Sequence, residues 1–287
     1  MDENATATKL QWELFIKKRA SATQGVPPGK EDLTWVANTV TLLWGEHDAV
    51  LVDTLLSDAQ NEELADWIET KGRKLRTIYL THAHPDHIFG LTLLLKRFPD
   101  ATALATPDVV DAMRKTLSSE VVETNWKVRF PGLVPEHLTV ADALDGASFE
   151  LEGNELRVVE MGHTDTDDTT GLYVPSLELL VAGDVVYNEA HAFLAETDAA
   201  GRQAWLAALD KVEALHPKIV IVGHGPLNPD NSPAHIEATR RYIQAFDRLD
   251  RETTTAKELY EKMLSIYPNR INPGSLWGSA HVAKGER

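Results

Sequence analysis

Residues 80 to 90 read "LTHAHPDHIFG", and no other stretch limits this chain so sharply. His82, His84, Asp86 and His87 fall within six positions, with apolar runs on either side. Such side chains are costly to bury close together unless they are hydrogen-bonded or share a cation. Before them, "LRTIYL" has the content of a buried strand; after them, "FGLTLLLKRF" has the length and apolarity of a helix. The cluster therefore fills a strand-to-helix turn, where ligands gather in layered α/β folds.

The arrangement returns further along. His163 follows "RVVEMG", Asp184 follows "LELLVAG" and His224 follows "KIVIVG". Each comes directly after an apolar strand and a glycine, which lets the backbone turn. Singly, each reads as an ordinary polar residue at a strand end. Together, five histidines and two aspartates can supply two adjacent metal sites. The chain has no cysteine, which excludes disulfides, thiolate ligands and a cysteine nucleophile. It also has no "GxSxG" elbow. Imidazole and carboxylate donors suit zinc, and the same set accepts iron or manganese. Two divalent cations lower the pKa of a shared water from about 15.7 toward ~7, giving hydroxide at neutral pH. Asp86 can orient that nucleophile and pass a proton to the leaving group.

The rest of the chain alternates strands and helices, which predicts an α/β layered domain. "WVANTVTLLWGEHDAVLVD" reads as two strands joined by a turn at residues 45–48, and "SDAQNEELADWIETKG" as a helix. Strand "ATALAT" leads to a helix with Thr106 as cap and Pro107 in its first turn. A hairpin turning at Gly153-Asn154 precedes strands "TTGLYV" and "LELLVAGD", then helix "AAGRQAWLAALDKVEALH" and strand "KIVIVGHG". Two C-terminal helices, "SPAHIEATRRYIQAFDRL" and "TAKELYEKMLSIY", follow, and the last 15 or so residues read as poorly anchored. The segment from about 119 to 138 has no clear period, so it reads as a surface connection or a pocket wall.

With 44 acidic against 28 basic residues, the formal charge of −16 repels phosphate backbones and anionic membrane surfaces. No run approaches the ~18 apolar residues that span a bilayer. "MDENATATKLQWELFIKKRA" has no basic-then-apolar signal pattern, so a cytoplasmic location and a small-molecule substrate are expected.

The order "THAHPDH", "GHT", "GD", "GHG", with Asp53 in "LVD" upstream, resembles the metallo-β-lactamase superfamily over about residues 35–250. The resemblance implies an α/β fold, an αββα four-layer sandwich with added C-terminal helices. It would form a single domain over 1–287, with a core at about 35–250 and a helical extension at about 231–270. It implies one metal on His82, His84 and His163, a second on Asp86, His87 and His224, and Asp184 bridging both. Two zinc ions are the expected cofactors. Asp53 would support the site from behind.

A shared aspartate sets the chain apart from the true β-lactamases and aligns it with the glyoxalase II and lactonase branches. Three residues beyond it, Tyr187 matches a tyrosine that contacts the substrate carbonyl in acyl-homoserine lactone lactonases. Otherwise Tyr187 is a half-buried aromatic packing under the site, and His191 reads as a surface-loop histidine. "GHTDTDDTTG" lacks the second histidine or proline common in those branches, and the cations that grip a glutathione thioester are not evident. Trp126, Phe130, Phe193 and Trp277 would suit an apolar or aromatic ligand bearing a cyclic ester or amide. The expected activity is hydrolysis of a small ester, lactone or lactam carbonyl by a metal-bridging hydroxide. The alternatives are a mononuclear iron persulfide dioxygenase on His82, His163 and Asp184, a glyoxalase II-type thioesterase, and a non-catalytic binding protein. No nucleic-acid or membrane partner is expected, and a homodimer is allowed.

Overall fold

The computed structural model describes residues 7–20 and 35–286. It is a mixed α/β fold with two sheets. The six-stranded sheet runs in chain order: β1 (Gln11–Ala20), β2 (Trp35–Trp44), β3 (Asp48–Val52), β4 (Lys74–Tyr79), β5 (Thr102–Ala105) and β6 (Asp142–Ala143). The second is ordered β11-β10-β9-β8-β7, from β7 (Ser148–Leu151), β8 (Asn154–Gly162), β9 (Thr169–Val174), β10 (Leu179–Gly183) and β11 (Ile219–Val222). The chain divides into two compact units. One comprises Met1–Ile16, Thr39–Glu160 and Thr170–Val181; the other comprises Lys17–Asn38, Met161–Thr169 and Ala182–Arg287.

In the first unit, β2 and β3 form a hairpin, and β3 to β6 are parallel. Parallel pairing requires crossovers. Helix α1 (Asp58–Glu69) supplies one, begun by a capping box in which Ser57 and Gln60 satisfy each other's backbone N–H. Helices α2 (Pro85–Ile88) and α3 (Leu91–Arg97) supply the next, and α4 (Pro107–Thr116), capped by Thr106, begins the third. Residues 49–52 of β3 are all buried, as a strand covered on both faces should be, whereas β8 alternates buried and exposed positions. Tyr79 joins the two sheets: its ring lies 5.8 Å from that of Phe149, and its hydroxyl is 2.7 Å from Thr170 Oγ1.

The second unit carries α7 (Ala199–Ala214), α8 (Ala234–Glu252), α9 (Ala256–Ile266) and α10 (Pro273–Lys284). Trp205 of α7 is fully buried and donates to the Val185 carbonyl. Arg202, 3% exposed, reaches Asp247 at 3.0 Å and Asp250 at 2.8 Å, which ties α7 to α8. Among the described residues no helix is long and apolar enough to cross a membrane.

Three expectations fail locally. The β7–β8 turn is Glu152-Gly153 rather than Gly153-Asn154. Both turn residues have positive φ, 47° and 78°, as a two-residue hairpin matched to strand twist requires. The segment read as aperiodic is helical over residues 119–129: α5 (Ser119–Val121), a π-helical turn (Val122–Trp126) and α6 (Lys127–Arg129). The extra residue in the π turn breaks the 3.6-residue period, which hides the helix from a periodicity reading. The last residues are anchored by α10, which buries Leu276, Ser279 and Ala280 and packs Trp277 against Tyr260 of α9 at 5.0 Å. Its contact face is mostly small residues, so it carries little apolar signal.

Candidate metal centre

In the first unit the donors lie on one turn. β4 ends at Tyr79, and Pro85 starts α2 with its missing N–H at a position where helices need none. His82, His84, Asp86 and His87 are thereby gathered, with the His82 ring 4.8 Å from His84 and 4.2 Å from His87. Asp86 Oδ2 lies 3.7 Å from His87 Nε2. Asp53 supports them just beyond β3, in the left-handed region at φ 66°, where a non-glycine residue is held only if its surroundings fix it. They do: Asp53 Oδ1 accepts from the Thr81 backbone N–H at 2.8 Å, and Asp53 Oδ2 lies 3.0 Å from His87 Nδ1. Thr81 Oγ1 lies 2.8 Å from Asp53 Oδ2 and 3.0 Å from His82 Nδ1. A carboxylate can only accept, so His87 carries its proton on Nδ1 and keeps the Nε2 lone pair for a metal.

In the second unit each donor ends a different strand. His224, after β11, donates Nδ1–H to the Ala37 carbonyl at 2.9 Å. Its Nε2 lies 2.9 Å from Asp184 Oδ2, after β10, and both side chains are buried. A neutral imidazole protonated on Nδ1 would turn a lone pair toward that carboxylate. The pair therefore calls for a cation, either a proton or a metal ion. Tyr187 OH donates to the same Asp184 Oδ2 at 3.2 Å. Tyr187 is 1% exposed, is held through its backbone by Thr239, and packs against the rings of Trp205 and His224. His163, after β8, has Nδ1 2.5 Å from Asp167 Oδ1, while its buried Nε2 has no hydrogen-bond partner among the described residues. Asp165 is fully buried, with Oδ1 2.9 Å from Thr164 Oγ1.

Two groups among the described residues have the chemistry to hold a metal ion; the first unit contributes His82, His84, Asp86 and His87 to them, and the second contributes Asp165, Asp184 and His224. Asp165 was not singled out from the sequence, where its only trace is the acidic run "DTDD"; His163 falls outside both groups. The imidazoles of His82, His87, His163 and His224 have Nδ1 engaged by an oxygen, the pattern that orients metal-binding histidines. The residues present therefore fit divalent metal.

His191 does not lie on the surface. It is fully buried, with Nδ1 2.9 Å from Tyr242 OH; burial, helped by the nearby Arg270 cation, lowers its pKa to about 3, so it is neutral. Trp277 sits among the C-terminal helices.

The chain belongs to the metallo-beta-lactamase superfamily, whose sequence model matches residues 33–224. It is 27% identical over 204 residues to a metallo-beta-lactamase type 2 from Bacteroides fragilis, covering 69% of this chain and 74% of that one. It is 39% identical over 67 residues to a hydroxyacylglutathione hydrolase from Francisella philomiragia subsp. philomiragia, covering 23% of this chain and 25% of the relative. Among solved structures, a metallo-beta-lactamase family protein from Thermus thermophilus superimposes with a TM-score of 0.62 at 21% identity, over 94% of this chain and 91% of that one. The two-sheet α/β expectation holds.

Proposed function

We propose that this chain is a dinuclear metal hydrolase that opens a small ester, lactone or lactam carbonyl. In this reading His82, His84 and His163 hold one ion, Asp86, His87 and His224 hold a second, and Asp184 serves both. Zinc is the expected metal. The observation that carries the reading is the buried Asp184–His224 pair, whose tautomer requires a cation, together with imidazoles tied through Nδ1. When bound, the ions supply hydroxide at neutral pH and polarise the carbonyl oxygen.

The chain's own residues do the rest. Asp86, buried beside His87, orients the attacking water and carries a proton to the leaving group. Asp53 fixes the His87 ring, and Thr81 extends that support to His82. Tyr187 holds Asp184; to contact a substrate carbonyl its hydroxyl would first have to leave that carboxylate. The β-lactamase relative supports an amide carbonyl, and the local match to a thioester hydrolase supports the wider acyl class.

Two measurements test the reading together: elemental mass spectrometry of the purified protein, and hydrolysis of a panel of lactones, esters and lactams. Close to two equivalents of a divalent metal are expected. His84→Ala should stay folded by circular dichroism and lose about 10³-fold or more in turnover, several kcal/mol of metal-ion stabilisation. Protein that takes up no divalent metal, or a His84→Ala variant with unchanged hydrolysis, sinks the proposal.

A further inference from the structure

Gly201 occupies the first turn of α7, where a glycine is less favourable to a helix than alanine. Its φ is ordinary, so backbone conformation does not call for glycine. Its backbone N–H is satisfied by Asp198 Oδ1, the helix cap, at 2.8 Å, an interaction that any residue but proline could make. What distinguishes the position is the space beside its Cα. A Cβ there would lie 2.5 Å from His163 Nε2, 2.8 Å from His163 Cδ2 and 2.4 Å from Thr197 Oγ1. Carbon atoms are not tolerated at such distances, so something would have to shift. The helix is held by buried Trp205, Leu209 and Val212 and by the Arg202 ion pairs, so it is the side chains that yield.

His163 is the side chain with most to lose. Its Nδ1 is engaged by Asp167, and its Nε2 is buried with no hydrogen-bond partner among the described residues. Turning the ring away from α7 would pull Nδ1 off Asp167 and swing Nε2, the atom that donates to a metal, out of its seat. We propose that Gly201 is a positioning residue for the metal ligand His163: the missing side chain at the start of α7 is the seat of the imidazole. The inference rests on His163 being a ligand in the proposed centre. It adds a requirement on a residue 38 positions away that bears no functional group.

The test is a double-mutant cycle of Gly201→Ala and His163→Ala, read by metal content and by zinc affinity in competition with a chromophoric chelator. Thermal melting of the metal-stripped proteins runs alongside. Gly201→Ala in the otherwise native chain should lower zinc affinity by about 10- to 100-fold, the scale of losing a group that orients a ligand. In the His163→Ala background the same substitution should change affinity by less than about 2-fold, because the ring it displaces is gone. There it should also raise the melting temperature, since only the helix preference for alanine remains.

A merely structural Gly201 would weaken binding equally in both backgrounds. That additive result overturns the proposal, as does a Gly201→Ala protein that binds zinc like the wild type. These failures are distinct from failure of the functional reading, in which the wild type itself would bind no metal.

Discussion

The two sets of donors are built on opposite plans. In the first unit, four come from one segment, His82 to His87, and two of them, His82 and His87, share a single brace: Asp53 reaches Thr81 and His87, and Thr81 continues to His82. In the second unit, His163, Asp184 and His224 end three different strands, and each has its own brace: Asp167, Tyr187 and the Ala37 carbonyl. A contiguous set is easy to encode and depends on one residue. A dispersed set needs the fold to assemble it but can lose one brace at a time.

The largest effect that tests this contrast belongs to Asp53→Asn. Asparagine tolerates the positive φ at this position, so the backbone should hold. A carboxamide turned to accept from the Thr81 N–H would place an NH2 against His87 Nδ1. The ring would then have to move its proton to Nε2, the atom needed for a metal. Zinc affinity should fall by about 100-fold, the upper end for loss of a group that orients ligands. A chelator competition assay measures it; a loss no larger than that caused by removing a second-unit brace would break the contrast.

Tyr187→Phe removes such a brace. The ring stays packed against Trp205 and His224, and only the bond to Asp184 is lost. Turnover should drop by about 10-fold, one hydrogen bond to a charged group, with little change in KM. Unchanged kinetics would reduce Tyr187 to packing and leave Asp184 without the separate support assigned to it.

The same contrast decides what was legible in the sequence. The segment from His82 to His87 announces itself because its chemistry is local, and the strand-end glycines before His163, Asp184 and His224 mark turns that a linear reading can find. The braces are another matter. Asp53 was legible only through its place after an apolar strand, and Asp167, four positions from His163, is lost in an acidic run, while Thr239 and the Ala37 carbonyl act across distances no period records. Asp165 was hidden in an acidic run that reads as solvated, yet it is fully buried. His191 reads as a loop residue because its neighbours are polar or small, yet it is fully buried against Tyr242 of α8, 51 positions away. Strand β1 went unread although Trp12, Leu14 and Ile16 alternate, because charged residues follow them closely.

Glu152 completes the contrast, since it makes the kind of bonds Asp53 makes but serves only the fold. Its carboxylate accepts from the backbone N–H groups of Glu46, His47 and Asp48 at 2.6 to 2.7 Å, and it lies where a Cβ on Gly45 would sit. Burial raises its pKa, but those three bonds, with a further one from Thr8, outweigh it and bring the value to about 2, against 4.5 ordinarily. A carboxylate with a depressed folded pKa stabilises fully above its unfolded value. Its contribution is thus present above about pH 4.5 and is lost as pH falls toward about 2. The group is partly solvated, so the effect is small. Glu152→Gln should lower the melting temperature by about 2 °C at neutral pH. It should also flatten the dependence of melting on pH between about 4.5 and 2, and leave zinc affinity within about 2-fold of wild type. If Glu152→Gln instead weakened zinc as Asp53→Asn should, the hairpin end and the donor turn would be one coupled structure, and bracing by Asp53 would no longer distinguish the site from the scaffold.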